Sequence, residues 1–171
     1  MDNNLILGII IFGSASSVTE RVGWQHRLEM WLMPAMKRGI PTLGICYGHQ
    51  MIAHMFGAKI EYRYPDQFKM TGFREVPFQN SRLWTQDMGE LVISHNEVVA
   101  SCPAEMKVIA STETVAIEAL EHISLPIWTL QAHPEATRNF LVNEQIQSQI
   151  SEKRLKFGHS LVKKFIELTG K

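Results

Sequence analysis

Ile40-Pro41-Thr42-Leu43-Gly44-Ile45-Cys46-Tyr47-Gly48-His49-Gln50 is the stretch whose reading decides the fold. Residues 40–45 are apolar without alternation, the pattern of a short strand buried on both faces. Residues 48–56 fit a helix that Gly57 ends. Between them stands Gly-x-Cys-x-Gly, a strand-to-helix turn whose small flanking residues let backbone pass close to a strained nucleophile. A thiol at Cys46 would sit at the carboxyl end of a strand and the amino end of a helix, whose dipole favours the thiolate. The backbone N–H of Tyr47 would point to where a tetrahedral oxyanion forms.

Outward from this elbow, apolar strand-like runs alternate with amphipathic stretches, which predicts an α/β fold. Residues 5–12 read as a buried parallel strand, followed by the small-residue loop Gly13-Ser14-Ala15-Ser16-Ser17. Residues 24–38 read as a helix with Leu28, Trp31, Leu32, Ala35 and Met36 on one face, Pro34 as a candidate kink and Gly39 as its stop. Residues 58–64, 72–77, 90–94, 107–111 and 115–120 read as short strands forming antiparallel additions at the edge of the main sheet. Residues 126–132 form another buried strand that runs into His133-Pro134-Glu135. The tail, residues 138–168, is expected to be helical, with Gly158 marking a break and an apolar face of Leu161, Val162, Phe165, Ile166 and Leu168.

A thiolate needs a partner. His133 follows a buried strand and would emerge at the same sheet edge as Cys46. Glu135, two residues on, can orient the imidazole and stabilise its charged form. A lone cysteine is usually an inert small hydrophobe and a lone histidine usually structural. Each placed at the end of a predicted strand, the two together favour nucleophilic chemistry.

Composition narrows the field. The 171 residues suit one domain with a real core. The 17 Lys and Arg are balanced by 17 Asp and Glu, so no basic face argues for nucleic acid or a membrane surface. The longest apolar run, residues 5–12, is too short to span a bilayer and lacks the flanks of a signal peptide. Only Cys46 and Cys102 are present, in unrelated contexts, which points to a reducing cytoplasmic setting. His49 and His54 are five apart on the predicted helix, poorly aligned for one metal, and no histidine pair forms a zinc-binding pattern.

These residues resemble the class I (triad) glutamine amidotransferases, most closely the glutaminase domain of the GMP synthetase branch and its stand-alone relatives. The likeness runs from about Ile9 to about Thr137. Gly44 to Gln50 match the elbow, and Gln131-Ala132-His133-Pro134-Glu135 the His-Pro-Glu signature. That pair of motifs is highly specific. Gly13-Ser14-Ala15-Ser16-Ser17-Val18, Ser94-His95-Asn96-Glu97-Val98-Val99 and Ala110-Ser111-Thr112 are supporting matches. The resemblance implies a flavodoxin-like three-layer sandwich with a mostly parallel central sheet, forming a single glutamine amidotransferase domain over residues 1–171. It implies a glutaminase with Cys46, His133 and Glu135 as catalytic residues and the N–H groups of Tyr47 and Ser14 as oxyanion hole. Gly13, Gln50 and His95 would hold the substrate, glutamine or a γ-glutamyl small molecule. Neither metal nor organic cofactor is required. The sequence has no Gly-x-x-x-x-Gly-Lys-Ser/Thr motif, so an ammonia-accepting synthetase would be a separate subunit.

The chain also departs from the family. Ser14 stands for a glycine, Ala15 for a proline, Ala132 for an aromatic residue and Asn96-Glu97 for Gly-Asp. A Cβ at Ser14 is expected to resist the loop conformation. The first β-α unit of the family is expected to be missing, an N-terminal truncation with three open explanations: a fragment, a misplaced start, or a partner chain filling the gap. Two alternatives to the glutaminase therefore stand: a γ-glutamyl peptide hydrolase on the same fold, and a catalytically impaired scaffold or regulatory module. An exposed apolar strand edge favours association. The isolated 171-residue chain is accordingly expected to be poorly stable or a homo-oligomer. A cooperative thermal unfolding transition from a demonstrated monomer would overturn this.

Overall fold

A computed structural model describes residues 6–85, 88–146 and 152–170. Its centre is a five-stranded sheet built from β1 (Ile9–Ile11), β2 (Thr42–Ile45), β9 (Ile127–Leu130), β8 (Ala119–His122) and β7 (Met106–Ala110), in that spatial order. β1, β2 and β9 run parallel, while β8 and β7 add antiparallel. Every residue of β2, β8 and β9 is buried. The expected α/β architecture with a mostly parallel core and antiparallel edge additions is therefore present.

Two apolar layers enclose the sheet. On one face, α1 (Gly23–Lys37) and α2 (Tyr47–Met55) contribute Leu32, Met36, Met51 and Ile52 against Ile11, Leu120 and Ile127. On the other face, β4 (Met70–Pro77), β5 (Met88–His95), the connection between them and α4 (Glu152–Thr169) contribute Val76, Leu91, Phe78, Trp84, Leu161 and Phe165 against Leu43, Ile45, Trp128 and Leu130. Each such side chain buried contributes about 1.5–3 kcal/mol. Trp84 also donates its indole N–H to the carbonyl of Leu161 at 3.2 Å, tying α4 to the loop after β4.

Several expectations need correction. The strand expected over residues 5–12 is only Ile9–Ile11; it is partly buried, because it stands at the sheet edge with β2 as its sole neighbour among the described residues. Leu5 lies outside the described residues. Of the five middle strands, only β7 and β8 join the main sheet. β4 pairs with β5, and β3 (Ile60–Tyr62) with an unforeseen strand, β6 (Glu97–Val99), in two separate antiparallel ladders. The strand expected at 115–120 begins only at Ala119, since Thr112 folds back on the N–H of Val115 and turns the chain. α1 continues through Pro34, and Trp31 and Met30 face outward. In α4, Ile166 likewise points outward, while Leu161 and Phe165 carry the packing. The expected helical tail divides into α3 (Arg138–Asn143) and α4, with residues 147–151 outside the described set.

Gly158 is the most instructive correction. It is inside α4 and breaks nothing. A Cβ there would meet the carbonyl oxygen of Pro134 at 2.6 Å and its Cα at 2.9 Å. The glycine lets the helix backbone rest directly on the His133-Pro134-Glu135 turn. His159, its neighbour, adds a hydrogen bond between Nε2 and the carbonyl of Ala136 at 2.9 Å. Replacing a helical glycine by alanine ordinarily gains about 1 kcal/mol from propensity. Overpacking against backbone costs about 1–3 kcal/mol and should win here. Gly158→Ala is thus expected to lower the urea midpoint, whereas a raised midpoint would mean that α4 does not pack so closely.

Candidate active site

Cys46 lies between β2 and α2 with φ 51° and ψ −102°, a conformation that L-residues rarely adopt. The surrounding glycines explain how that strain is tolerated. A Cβ on Gly44 would lie 2.5 Å from the carbonyl oxygen of Gly48, and one on Gly48 would lie 2.3 Å from the carbonyl oxygen of Ile11. The elbow is therefore wedged between its own strand and β1. The first N–H groups of α2, that of Tyr47 foremost, have no acceptor within the helix.

Sheet register brings His133 to Cys46. Ile45 pairs with Leu130, and the N–H of Cys46 donates to the carbonyl of Leu130 at 2.8 Å. β9 thus ends beside Cys46, and three residues later the chain reaches His133. The His133 backbone is pinned by its N–H to the carbonyl of Val92 at 2.7 Å. Its Nδ1 is 2.8 Å from Glu135 Oε1, and its ring packs on Phe140 with centroids 4.6 Å apart. Gly13 completes the approach: a Cβ there would lie 2.9 Å from His133 Cε1 and 3.7 Å from Cys46 Cβ. Cys46, His133, Glu135 and Gly13 are thus gathered at one point.

Burial alone would drive the His133 imidazole toward neutrality. Its hydrogen bonds to Cys46 and Glu135, and the charges of both, outweigh that and hold its pKa well above the usual range. His95 shows the opposite case. Burial, aided by the charges of Arg74 and His133, pushes it down to about 4 despite a hydrogen bond with the Glu97 carbonyl. Burial likewise pushes His49 to about 3, and its Nδ1 meets Thr129 Oγ1 at 2.7 Å, a structural role rather than a ligand.

The remaining expected residues surround a cavity of two lobes meeting at Cys46. One lobe, about 280 Å³, is bounded by Gln50, His95, Glu97 and Glu20. The other, about 390 Å³, is bounded by Gly13, His133, Glu135 and Phe140. Ser14, Lys69 and Ser94 border both. Ser14 is not among the residues with positive φ, so its side chain meets no left-handed strain, contrary to expectation. The loop that carries it is well fastened: Ser17 Oγ donates to Glu97 Oε1 at 2.7 Å, and Gln25 Nε2 to the carbonyl of Ser17 at 2.7 Å. Gln50 Nε2 donates to the carbonyl of Glu97 at 2.9 Å. Tyr47 turns its ring away, onto Trp24 at 5.7 Å, so only its backbone bears on the site.

Sequence reasoning missed Lys69, Glu144 and the role of Ser94. Lys69 Nζ meets Glu144 Oε2 at 2.6 Å, and Ser94 Oγ donates to the same carboxylate. Ser94 stands in one of the supporting motifs, which offered a signal. Lys69 and Glu144 are 75 residues apart in no motif. Gln131, buried beneath the site, directs Nε2 toward Cys46 Sγ at 3.8 Å.

The family model for class I glutamine amidotransferases matches residues 2–148, and the chain belongs to that family. It is 29% identical over 154 residues to a glutamine-hydrolysing GMP synthase of Aromatoleum aromaticum, covering 85% of this chain and 28% of that protein. It is 35% identical over 105 residues to one subunit of the glutamine-hydrolysing GMP synthase of Pyrococcus abyssi, covering 56% of this chain and 51% of that one. The chain therefore spans from about a quarter to about half the length of these relatives. In fold it is similar to a glutamine amidotransferase of Methylobacillus flagellatus, with a TM-score of 0.74 at 18% identity over 96% of this chain and 74% of that one. Among the described residues no helix is long and apolar enough to cross a membrane.

The electrostatics of His133 can be tested by its own titration. Its raised pKa means that it contributes stability fully below the ordinary imidazole pKa, and that this contribution is lost as pH rises through the raised value. Glu135→Gln removes one of the two partners that hold the proton. The imidazole ring resonances of His133 should then titrate at lower pH than in the parent protein. An unmoved titration would show that Glu135 does not hold the charge.

Proposed function

We propose that this chain hydrolyses the side-chain amide of glutamine to glutamate and ammonia, with Cys46, His133 and Glu135 as the catalytic residues. The observation that carries the reading is the strained Cys46 elbow facing the His133 imidazole, whose Nδ1 lies 2.8 Å from Glu135 Oε1. The thiolate attacks the amide carbon, and the oxyanion is received by the N–H groups of Tyr47 and Ser14. The carbon–nitrogen bond breaks as His133 gives its proton to the leaving nitrogen, so ammonia departs and a glutamyl thioester remains. Water, deprotonated by His133, then cleaves the thioester, returning the thiol and releasing glutamate. Glu135 keeps the imidazole oriented throughout. Gly13, Gln50 and His95 border the substrate. These steps use only side chains, backbone and water.

The ammonia would serve a separate synthetase subunit. The Pyrococcus abyssi relative, itself one subunit of a GMP synthase, supports a paired assembly. One observation favours a second reading. The lobe beside His133, about 390 Å³, has room for a leaving group larger than ammonia, as a γ-glutamyl amide would need.

Cys46→Ala and His133→Ala should each lower glutamate release from glutamine at least about a thousand-fold, the scale on which such groups act as a unit. Faster turnover of γ-glutamyl peptides than of glutamine would move the assignment to the second reading. No turnover of either, even beside a partner synthetase, would defeat both.

A further inference from the structure

We propose that Lys69 is a specificity-determining residue that recognises the α-carboxylate of the glutamyl substrate. The inference rests on the proposed glutaminase reading and deepens it. Glutamine carries a carboxylate and an ammonium at the end remote from its amide, so a cavity that selects it needs one pole of each sign. The negative pole is evident: Glu97 and Glu20 bound the smaller lobe, and Ser17 links them by donating its hydroxyl to Glu97 and its N–H to Glu20. For the positive pole the choice is narrow. Among the described residues, Lys69 is the one lysine or arginine that borders either lobe, and it borders both.

The local backbone presents Lys69 at that point. A turn closed by the N–H of Gln67 on the carbonyl of Tyr64 precedes it, with Gln67 at φ 59°. Buried Met70 opens β4 directly after it. The ammonium is held over the cavity by Glu144, which also takes the hydroxyl of Ser94. Those contacts, led by that with Lys69, keep the Glu144 carboxyl below its usual pKa. Ser94 in turn offers its carbonyl to Cys46 Sγ at 3.9 Å, so this cluster adjoins the nucleophile. The Lys69 side chain remains about half exposed, and exposed ion pairs add little net stability. Exchange of the Glu144 carboxylate for a substrate carboxylate is therefore nearly balanced in free energy. Glu144 acts as a stand-in that keeps Lys69 aimed at the cavity until substrate arrives.

The test compares two alkylating agents for Cys46 on the full chain. One is the diazoketone analogue of L-glutamine, which carries the amino-acid head. The other is iodoacetamide, which carries no carboxylate. Lys69→Met should slow labelling by the analogue about tenfold or more, the scale of a lost charge-assisted hydrogen bond. Iodoacetamide labelling should change less than about twofold, and Lys69→Arg should restore most of the analogue's rate. Glu144→Gln should not slow the analogue. An unchanged rate with the analogue in Lys69→Met overturns the inference while leaving the glutaminase reading intact. So does an equal loss with both reagents, which would make Lys69 a support for the thiol or the fold. Slowing in Glu144→Gln to match Lys69→Met also overturns it, because the ion pair would then be a strut. If the parent chain reacts with iodoacetamide but not with the analogue, the glutaminase reading itself fails, and the inference with it.

Discussion

The parallel pairing of β2 with β9 is the constraint on which the rest depends. Both strands are fully buried, so they can slip neither to solvent nor by a single residue, since a one-residue slip would reverse every side chain. With Ile45 held opposite Leu130, the end of β2 and the end of β9 coincide. The elbow residue and the turn bearing the imidazole then arrive together. They are 87 positions apart in the chain, and no local interaction could have joined them.

Around that register the structure adds supports from every side. β1 lies against Gly48, β5 holds the His133 backbone through Val92, and α4 rests on Pro134. The small-residue loop after β1 is fastened to α1 by Gln25 and to β6 by Glu97. The site is thus assembled from edges and loops, while the sheet beneath supplies rigidity. The left-handed backbone of Cys46 can persist because these neighbours over-determine it.

What the sequence made legible follows from the range of each interaction. The elbow could be read because its glycines, strand and helix are contiguous. The link of His133 to Glu135 spans two residues and was equally visible. Buried strands without alternation disclosed the α/β class. The separate ladders of β3 with β6 and β4 with β5 were not legible, because antiparallel partners look alike wherever they dock. The meeting of Lys69 with Glu144 depends on how two distant loops close over a cavity, which no local pattern records. Gly158 was misread for a related reason: a glycine that ends a helix and one that admits a neighbouring backbone are identical in sequence.

The close fit of α4 on the turn at Pro134 makes two distant positions a single unit of variation. A side chain can appear at position 158 only if the backbone at position 134 retreats, and that backbone adjoins the imidazole. Change in the last helix is therefore filtered by the chemistry of a turn some two dozen residues earlier, although the helix itself borders neither lobe of the cavity among the described residues. A helix that looks like outer cladding is, in heredity, part of the turn that carries His133.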